Sequence, residues 1–213
     1  KYVTPVLGNE IVWGDGFTMG SVILGHMGSD AVAANSIAGI AKNQLICLCT
    51  GIGSGGAILV GNELGAGSLD RAKRYGEGVA KLSIVAGAAT GAVLLCLSPL
   101  ILRLANLTPA AEGYLQWMLV ICSYYCIGKS VNSTVIGGIF CAGGDSKFGF
   151  ICDAVTLWVV VVPLGMLAAF VWKLPVLAVY FIINLDEMIK LPAVYRHFKQ
   201  YKWVKNLTKE EIV

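Results

Sequence analysis

Charge is what this sequence has least of. Asp, Glu, Lys and Arg make up 14% of its 213 residues, against roughly 25% in an ordinary soluble domain. Histidine is scarcer still. His26 and His197 are the two present, and neither stands at ligand spacing from a cysteine, which removes the zinc motifs. The seven cysteines are odd in number and lie in or beside apolar stretches. That argues against a disulfide framework and reads as inert, buried thiols. No basic face interleaved with aromatics precedes the C-terminal tail, so a net charge of +3 carries no nucleic-acid signal. A membrane enzyme would need a nucleophile with its base, or clustered metal ligands. The apolar segments hold no histidine and no such pair, so neither an enzyme nor a bound cofactor is expected.

What remains is apolar: 56% of the chain is hydrophobic. From Leu82 to Leu102 the only polar side chains are Ser83, Thr90 and Ser98, and about 20 apolar residues are enough to cross a bilayer core as helix. The pattern predicts an all-α integral membrane protein with six transmembrane helices. The spans are residues 5–25, one within 31–61, 81–103, one within 114–142, 148–172 and 176–191. The connections carry turn chemistry, and Ser29-Asp30, Ser68, Thr108 and Asp145 suit helix N-caps. The domain division is a six-helix lobe, residues 1–194, followed by a basic tail, 195–213, expected to lie on a membrane surface as an anchor to lipid. Lysine and arginine gather on one side (Lys1, Arg71, Lys73, Arg74, Lys147 and the tail), with Arg103 and Lys173 assigned to the other and Lys42 placed near it. That bias predicts cytoplasmic termini in the cell membrane. The chain opens on Lys1, and its first apolar run holds Glu10 and Asp15, unlike a signal peptide; it reads as part of a longer protein.

Glycines at small-xxx-small spacing (Gly16 and Gly20, Gly61 and Gly65, Gly87 and Gly91) predict close helix–helix approach. Gly51-Ile52-Gly53-Ser54-Gly55-Gly56 satisfies G-x-G-x-x-G. It has membrane helix on both flanks rather than a strand, so helix packing or local unwinding is expected, not dinucleotide binding. Asn132-Ser133-Thr134, inside a span, and Asn206-Leu207-Thr208, on the cytoplasmic side, are not expected to be glycosylated.

The informative residues are the ionisable ones inside spans, because a charge there is costly. Glu10, with Asn9 before it and Trp13 one turn on, has no base nearby in sequence. A coupling or substrate role is the leading reading. Lys129 and Asn132 share a helix face, and Lys129 either binds substrate or neutralises a buried acid such as Asp153. Asp145 in its glycine turn is an N-cap or a ligand. Asp186 pairs with Lys190 near the cytoplasmic exit if Pro192 ends the helix. Roles for Asp15 and Glu187 stay open.

Two loop motifs then become recognisable. Val60-Gly61-Asn62-Glu63-Leu64-Gly65-Ala66-Gly67-Ser68-Leu69-Asp70-Arg71-Ala72-Lys73-Arg74-Tyr75 resembles a loop of the multidrug and toxic-compound extrusion (MATE) family. So does Phe140-Cys141-Ala142-Gly143-Gly144-Asp145-Ser146-Lys147, followed by Asp153, Trp158 and Pro163. The opening through Asn9, Glu10 and Trp13 is similar to the family's seventh helix, and the ending resembles its last helix and tail. The resemblance implies one lobe of a twelve-helix transporter whose other six-helix lobe is its partner. It further implies export of organic, often cationic, compounds in exchange for protons or sodium ions, with a cation, possible Na+ included, at Glu10. An acid at Asp145 is also implicated. Cys141 departs from the family's more usual arginine.

The chemistry of the residues is compatible with this. A carboxylate in a hollow of modest polarity is poised between charged and neutral forms. A proton or sodium ion and a cationic substrate would compete for it, and such exclusive occupancy is antiport. Trp13, Tyr124 and Trp158 offer cation–π faces. The expected site is therefore Asn9, Glu10, Trp13, Lys129, Asn132, Asp145 and Asp153. The alternatives are a lipid-linked-sugar flippase of the same superfamily, whose lumen would carry more fixed positive charge, and an oligomeric channel, which would need a polar stripe along a whole span.

Overall fold

The computed structural model describes residues 3–205. Lys1, Lys209 and the Asn206-Leu207-Thr208 sequence lie outside the described residues. Six helical rods run back and forth in chain order. The first is Val3–Gly25, the second Ser29–Gly65 and the third Leu69–Leu104. The fourth, Pro109–Asn132, continues as a wide π-helical segment, Ser133–Phe140. The fifth is Ser146–Val171, with π-helical turns at Val155–Val161 and Leu167–Val171. The sixth is broken into Val176–Ile183 and Asp186–Lys199.

The second, third and fifth rods are long and apolar enough to cross a membrane on their own. The second has 37 residues, about 55 Å of helix at 1.5 Å per residue, well beyond a hydrocarbon core of about 30 Å. Turns follow the expected punctuation: Gly28, Gly67 and Gly144 all take positive φ at inter-helix corners, where a Cβ would be strained. Of the four expected N-caps, only Thr108 acts as one, accepting from the Ala111 backbone N–H at 3.2 Å, with Pro109 in the first turn. Asp30 instead accepts from the Thr108 hydroxyl at 2.8 Å, and Asp145 bonds elsewhere.

Glycine does set the closest contacts. A Cβ on Gly87 would lie 2.8 Å from the Ile127 Cα, and one on Gly91 would strike the Ser123 carbonyl oxygen, so the third and fourth rods touch backbone to backbone. Gly16 and Gly20 press on Leu157 and Ile183. Gly61 and Gly65 make no such approach. The second rod runs unbroken through residues 51–56. There a Cβ on Gly53 would lie 3.3 Å from the Thr134 Cα and one on Gly56 would strike Val79, so this G-x-G-x-x-G is a packing surface. Ser130 Oγ donates to the Ser83 carbonyl at 2.7 Å across the third–fourth seam, a bond with no competing water in an apolar bundle.

Two apolar clusters occupy the two ends. One surrounds Ile23, Leu115, Met118 and Tyr180. The other surrounds Phe140, Phe198 and Trp203. Pro192 does not end the sixth rod. The break lies at Asn184–Leu185, and the helix then continues through Pro192 to Lys199.

The expected tail boundary at residue 195 therefore falls inside a helix. Trp203 is 0% exposed; its ring lies on Gly76 and its backbone on Gly143, and its Nε1 donates to the Phe198 carbonyl at 3.2 Å. Phe198 and Trp203 thus tie this stretch to the bundle, while Arg196, Lys199, Lys202 and Lys205 stay exposed. Tyr201 donates to Glu77, and Lys73 sits 3.8 Å from the Tyr201 ring. The Tyr201 hydrogen bond holds the Glu77 carboxyl below its ordinary value of 4.5, with Lys199 and Lys73 adding to the effect.

Two outcomes follow from this packing. Gly91→Val should destabilise the full-length protein by about 1–3 kcal/mol through overpacking, read from its thermal unfolding in detergent. Gly65→Val, where nothing lies within contact, should cost clearly less. Because the Glu77 pKa is lowered on folding, its contribution to stability is complete above 4.5 and is lost as pH falls through the folded value. Tyr201→Phe should move the Glu77 titration upward, seen by carboxyl NMR, and should weaken the tail contact at a higher pH than in the parent.

A candidate substrate and ion site in the bundle interior

The break in the sixth rod creates the site. After Asn184–Leu185 a new helix starts with Asp186 and Glu187 in its first turn, where the helix dipole favours acids. Lys190 follows one turn later on the same face. All three are buried: Glu187 is 0% and Lys190 2% exposed. Lys190 Nζ reaches Asp153 Oδ1 at 2.6 Å, Glu187 Oε2 at 3.2 Å and Asp186 Oδ2 at 3.7 Å. Lys129 Nζ reaches Glu187 Oε1 at 3.2 Å. Asn132 Nδ2 donates to both the Glu187 carbonyl, at 2.8 Å, and Oε2, at 2.7 Å. Each buried charge of this web thus has partners, which offsets its desolvation.

This web corrects two sequence expectations. The partner of Asp153 is Lys190, and Lys129 pairs with Glu187. The Asp186–Lys190 pair does not mark a helix exit; it sits in the interior, because the helix runs on past Pro192.

A hollow of about 230 Å³ opens beside the web. Six of the seven expected site residues line it: Asn9, Glu10, Trp13, Lys129, Asn132 and Asp153, joined by Glu187 and Lys190. Lys129 Nζ stands 4.1 Å from the centre of the Trp13 ring. Glu10 is exposed and forms no ion pair among the described residues. Asn9 Oδ1 and Asn132 Oδ1 are buried without a hydrogen-bond partner.

Asp145 is not in this hollow. Its Oδ2 accepts from His197 Nε2 at 2.6 Å, and the His197 ring stacks on Phe148 at 3.8 Å. Tyr124 packs on Phe181, Trp158 Nε1 donates to the Val12 carbonyl at 3.3 Å, and neither residue lines the hollow. Glu187 and Lys190 were missed as site residues. The signal available was the polar run Asn184-Leu185-Asp186-Glu187 interrupting an apolar span, with Lys190 one turn on. Lys42, placed by charge bias near the membrane side opposite the basic loops, is buried at 5% exposure, with Nζ 4.3 Å from the Tyr125 ring and 3.4 Å from Asn184 Oδ1.

Three comparisons bear on this arrangement. The family model described as MatE matches residues 10–167. Multidrug and toxin extrusion protein 1 of Xenopus tropicalis is 26% identical over 165 residues, which is 78% of this chain and 29% of that protein. A MOP superfamily transporter from Pyrococcus furiosus, reported with a binding pocket of reverse polarity, superposes with a TM-score of 0.85 at 14% identity, covering 97% of this chain and 46% of that one. A Vibrio cholerae MATE transporter in its bent form superposes at 0.78 with 18% identity, over 100% and 48%. The chain thus spans under half the length of these relatives.

The ion web makes its own test. Lys190→Met leaves Asp153 and Asp186 buried without a cation and should cost about 3–5 kcal/mol in thermal unfolding of the full-length protein. Lys129→Met should cost less, because Glu187 keeps Lys190 and Asn132. Equal losses would show that the web is not centred on Lys190.

Proposed function

Because the chain belongs to the MatE family, whose members are transporters, we propose that it is the second six-helix lobe of a two-lobe, cation-coupled antiporter that exports organic, often cationic, compounds by alternating access. One observation carries this reading: the acids around the hollow are in unequal states. Asp153, Asp186 and Glu187 are all within ion-pair distance of Lys190. Separating such a pair strands a buried charge on each side, so these acids are poor candidates for rapid exchange. Glu10 borders the same hollow, exposed and unpaired among the described residues. It is the acid able to hold a proton, a sodium ion or a cationic group in turn.

The orphaned amide oxygens of Asn9 and Asn132 support a cation beside Glu10, since oxygen donors suit hard cations. For a proton, the carboxylate alone is enough. Trp13 adds an aromatic face for an organic cation. Once Glu10 is neutralised by the ion, a cationic substrate loses its counter-charge, which makes the two occupancies exclusive. The flippase reading is less favoured, because both lysines at the hollow are balanced by carboxylates. The channel reading is less favoured because the polar lining occupies a short stretch of each rod.

The orientation we propose has both termini cytoplasmic in the cell membrane. Arg71, Lys73 and Arg74 begin the third rod, and Lys147 begins the fifth. Both starts lie at the end where Trp203 docks on Gly76 and Gly143, which joins these bases to Arg196, Lys199 and Lys202 on one face, as the positive-inside rule requires.

In proteoliposomes of the full-length protein, Glu10→Gln should reduce ion-driven dye efflux at least ten-fold and leave the unfolding temperature within a degree or two. A sodium gradient and a pH gradient imposed separately identify the coupling ion. Efflux from Glu10→Gln at the parent rate would remove Glu10 from the mechanism.

A further inference from the structure

Lys42 is the anomaly of the interior. It lies thirteen residues into the second rod, is 5% exposed within this lobe alone, and forms no ion pair with any carboxylate among the described residues. Its neighbours are neutral: Asn184 Oδ1 at 3.4 Å, the Tyr125 ring at 4.3 Å and the Phe17 ring at 5.7 Å. A long amide contact and two aromatic faces compensate a buried ammonium only in part. Lys129 and Lys190, by contrast, stand within 4 Å of carboxylates.

The Lys42 ammonium borders a second cavity, of about 50 Å³. That is several times the volume one water molecule needs. Asn35, Tyr125, Tyr180 and Asn184 are among its walls; Asn184 Nδ2 already donates to the Tyr180 carbonyl at 2.9 Å and the Tyr180 hydroxyl is paired with Cys122 Sγ, so Asn35 and Tyr125 supply the uncommitted amide and phenol donors. Asp186 is the acidic residue in the wall, and its carboxylate is directed to Lys190 at 3.7 Å. Trp13 lines both this cavity and the Glu10 hollow. A ladder joins the two: Lys129 on the Trp13 ring at 4.1 Å, Trp13 stacked on Phe17 at 5.9 Å, and Lys42 over Phe17 at 5.7 Å.

From this we infer that the Lys42 cavity is an anion subsite for a single, carboxylate-sized negative charge. The charge distribution gives the reason. Among the residues lining the Glu10 hollow, Lys129 and Lys190 are matched by Asp153 and Glu187, so that Glu10 leaves it one negative charge in excess. Across Trp13, the carboxylate in the wall, Asp186, lies 3.7 Å from Lys190, and Lys42 has no ion-pair partner among the described residues. The interior is thus split into an acidic chamber and a basic one, separated by an aromatic wall. A compound with a cationic group for the first and a carboxylate for the second would satisfy both. A free small anion entering the basic chamber while a cation fills the acidic one would do the same. The subsite itself does not require Glu10 to be the coupling residue. Its use for a carboxylate on the exported compound does rest on the export reading.

The test uses the full-length protein in detergent, with formate titrated against gluconate at constant ionic strength. Formate is small enough for the cavity and gluconate is too large. The unfolding temperature should rise saturably with formate. Lys42→Arg should keep the effect, and Lys42→Gln should lose it. Asn184→Asp keeps the lysine but supplies it with an internal carboxylate, so it should lose the effect too, which guards against a Lys42 variant that merely misfolds. Glu10→Gln should leave the formate response intact. No saturable response in the parent protein, or the same response in Lys42→Gln and Asn184→Asp, overturns the subsite.

The source of the charge is read by efflux of a zwitterionic rhodamine free acid and of its ethyl ester, a plain cation. Loss confined to the free acid in Lys42→Gln assigns the subsite to the transported carboxylate. Equal behaviour of the two dyes assigns it to a free anion. If neither dye is exported while formate still binds, the export reading fails and the subsite stands.

Discussion

Carboxylates are the strongest compensation for a lysine ammonium in the middle of an apolar bundle, and the architecture of this lobe is arranged around Lys190. Its ammonium gathers Asp153 from the fifth rod with Asp186 and Glu187 from its own, while Lys129 and Asn132 bring in the fourth. These contacts need the sixth rod to start afresh at Asp186, so that two acids occupy a first helical turn and the lysine lies one turn below them. The helix break and the charge web therefore support each other. An unbroken sixth rod would rotate those residues relative to the fourth and fifth, and an apolar sequence there would have no use for a break.

Packing around the web is apolar at both ends and close in between. The Ile23–Tyr180 cluster and the Phe140–Trp203 cluster hold the rods together above and below. Along the fourth rod, Lys129 and Asn132 fall between Cys126 of the first cluster and Val135 of the second. Close glycine contacts at Gly87, Gly91, Gly53 and Gly138 bring backbones into contact where no hydrophobic force acts between helices in lipid. The π-helical segment from Ser133 follows directly on the polar residues of the fourth rod, and such widened turns are common at functional sites. Beside the web and the close seams, Glu10, at the edge of the hollow, is the acid there without an ion-pair partner among the described residues.

The distribution of charge also separates the two chambers that share Trp13. Both would be invisible to a count of interior acids and bases, which is three of each when Lys42, Lys129 and Lys190 are set against Asp153, Asp186 and Glu187. What matters is which lysine reaches which acid. Lys42 reaches none, and that makes its cavity chemically different from the one beside Glu10.

Hydropathy and turn chemistry, both local properties, were enough to read six rods, their corners and the family's loop motifs directly from the chain. Charge in an apolar span is also a local signal, which is why Asn9, Glu10, Trp13, Lys129, Asn132 and Asp153 could be selected before any contact was known. The pairings among them could not. Lys129 and Asp153 are compatible in sequence, yet Lys190 takes Asp153, because the choice depends on how far the sixth rod is rotated after its break. Pro192 read as a helix end for the same reason: local rules weigh a residue against its neighbours in the chain. Only the tertiary structure places Pro192 within a continuing helix, Trp203 against Gly76 of the third rod and Gly143 of the turn before the fifth, and Lys42 in the interior, since burial is a property of what other segments bring alongside.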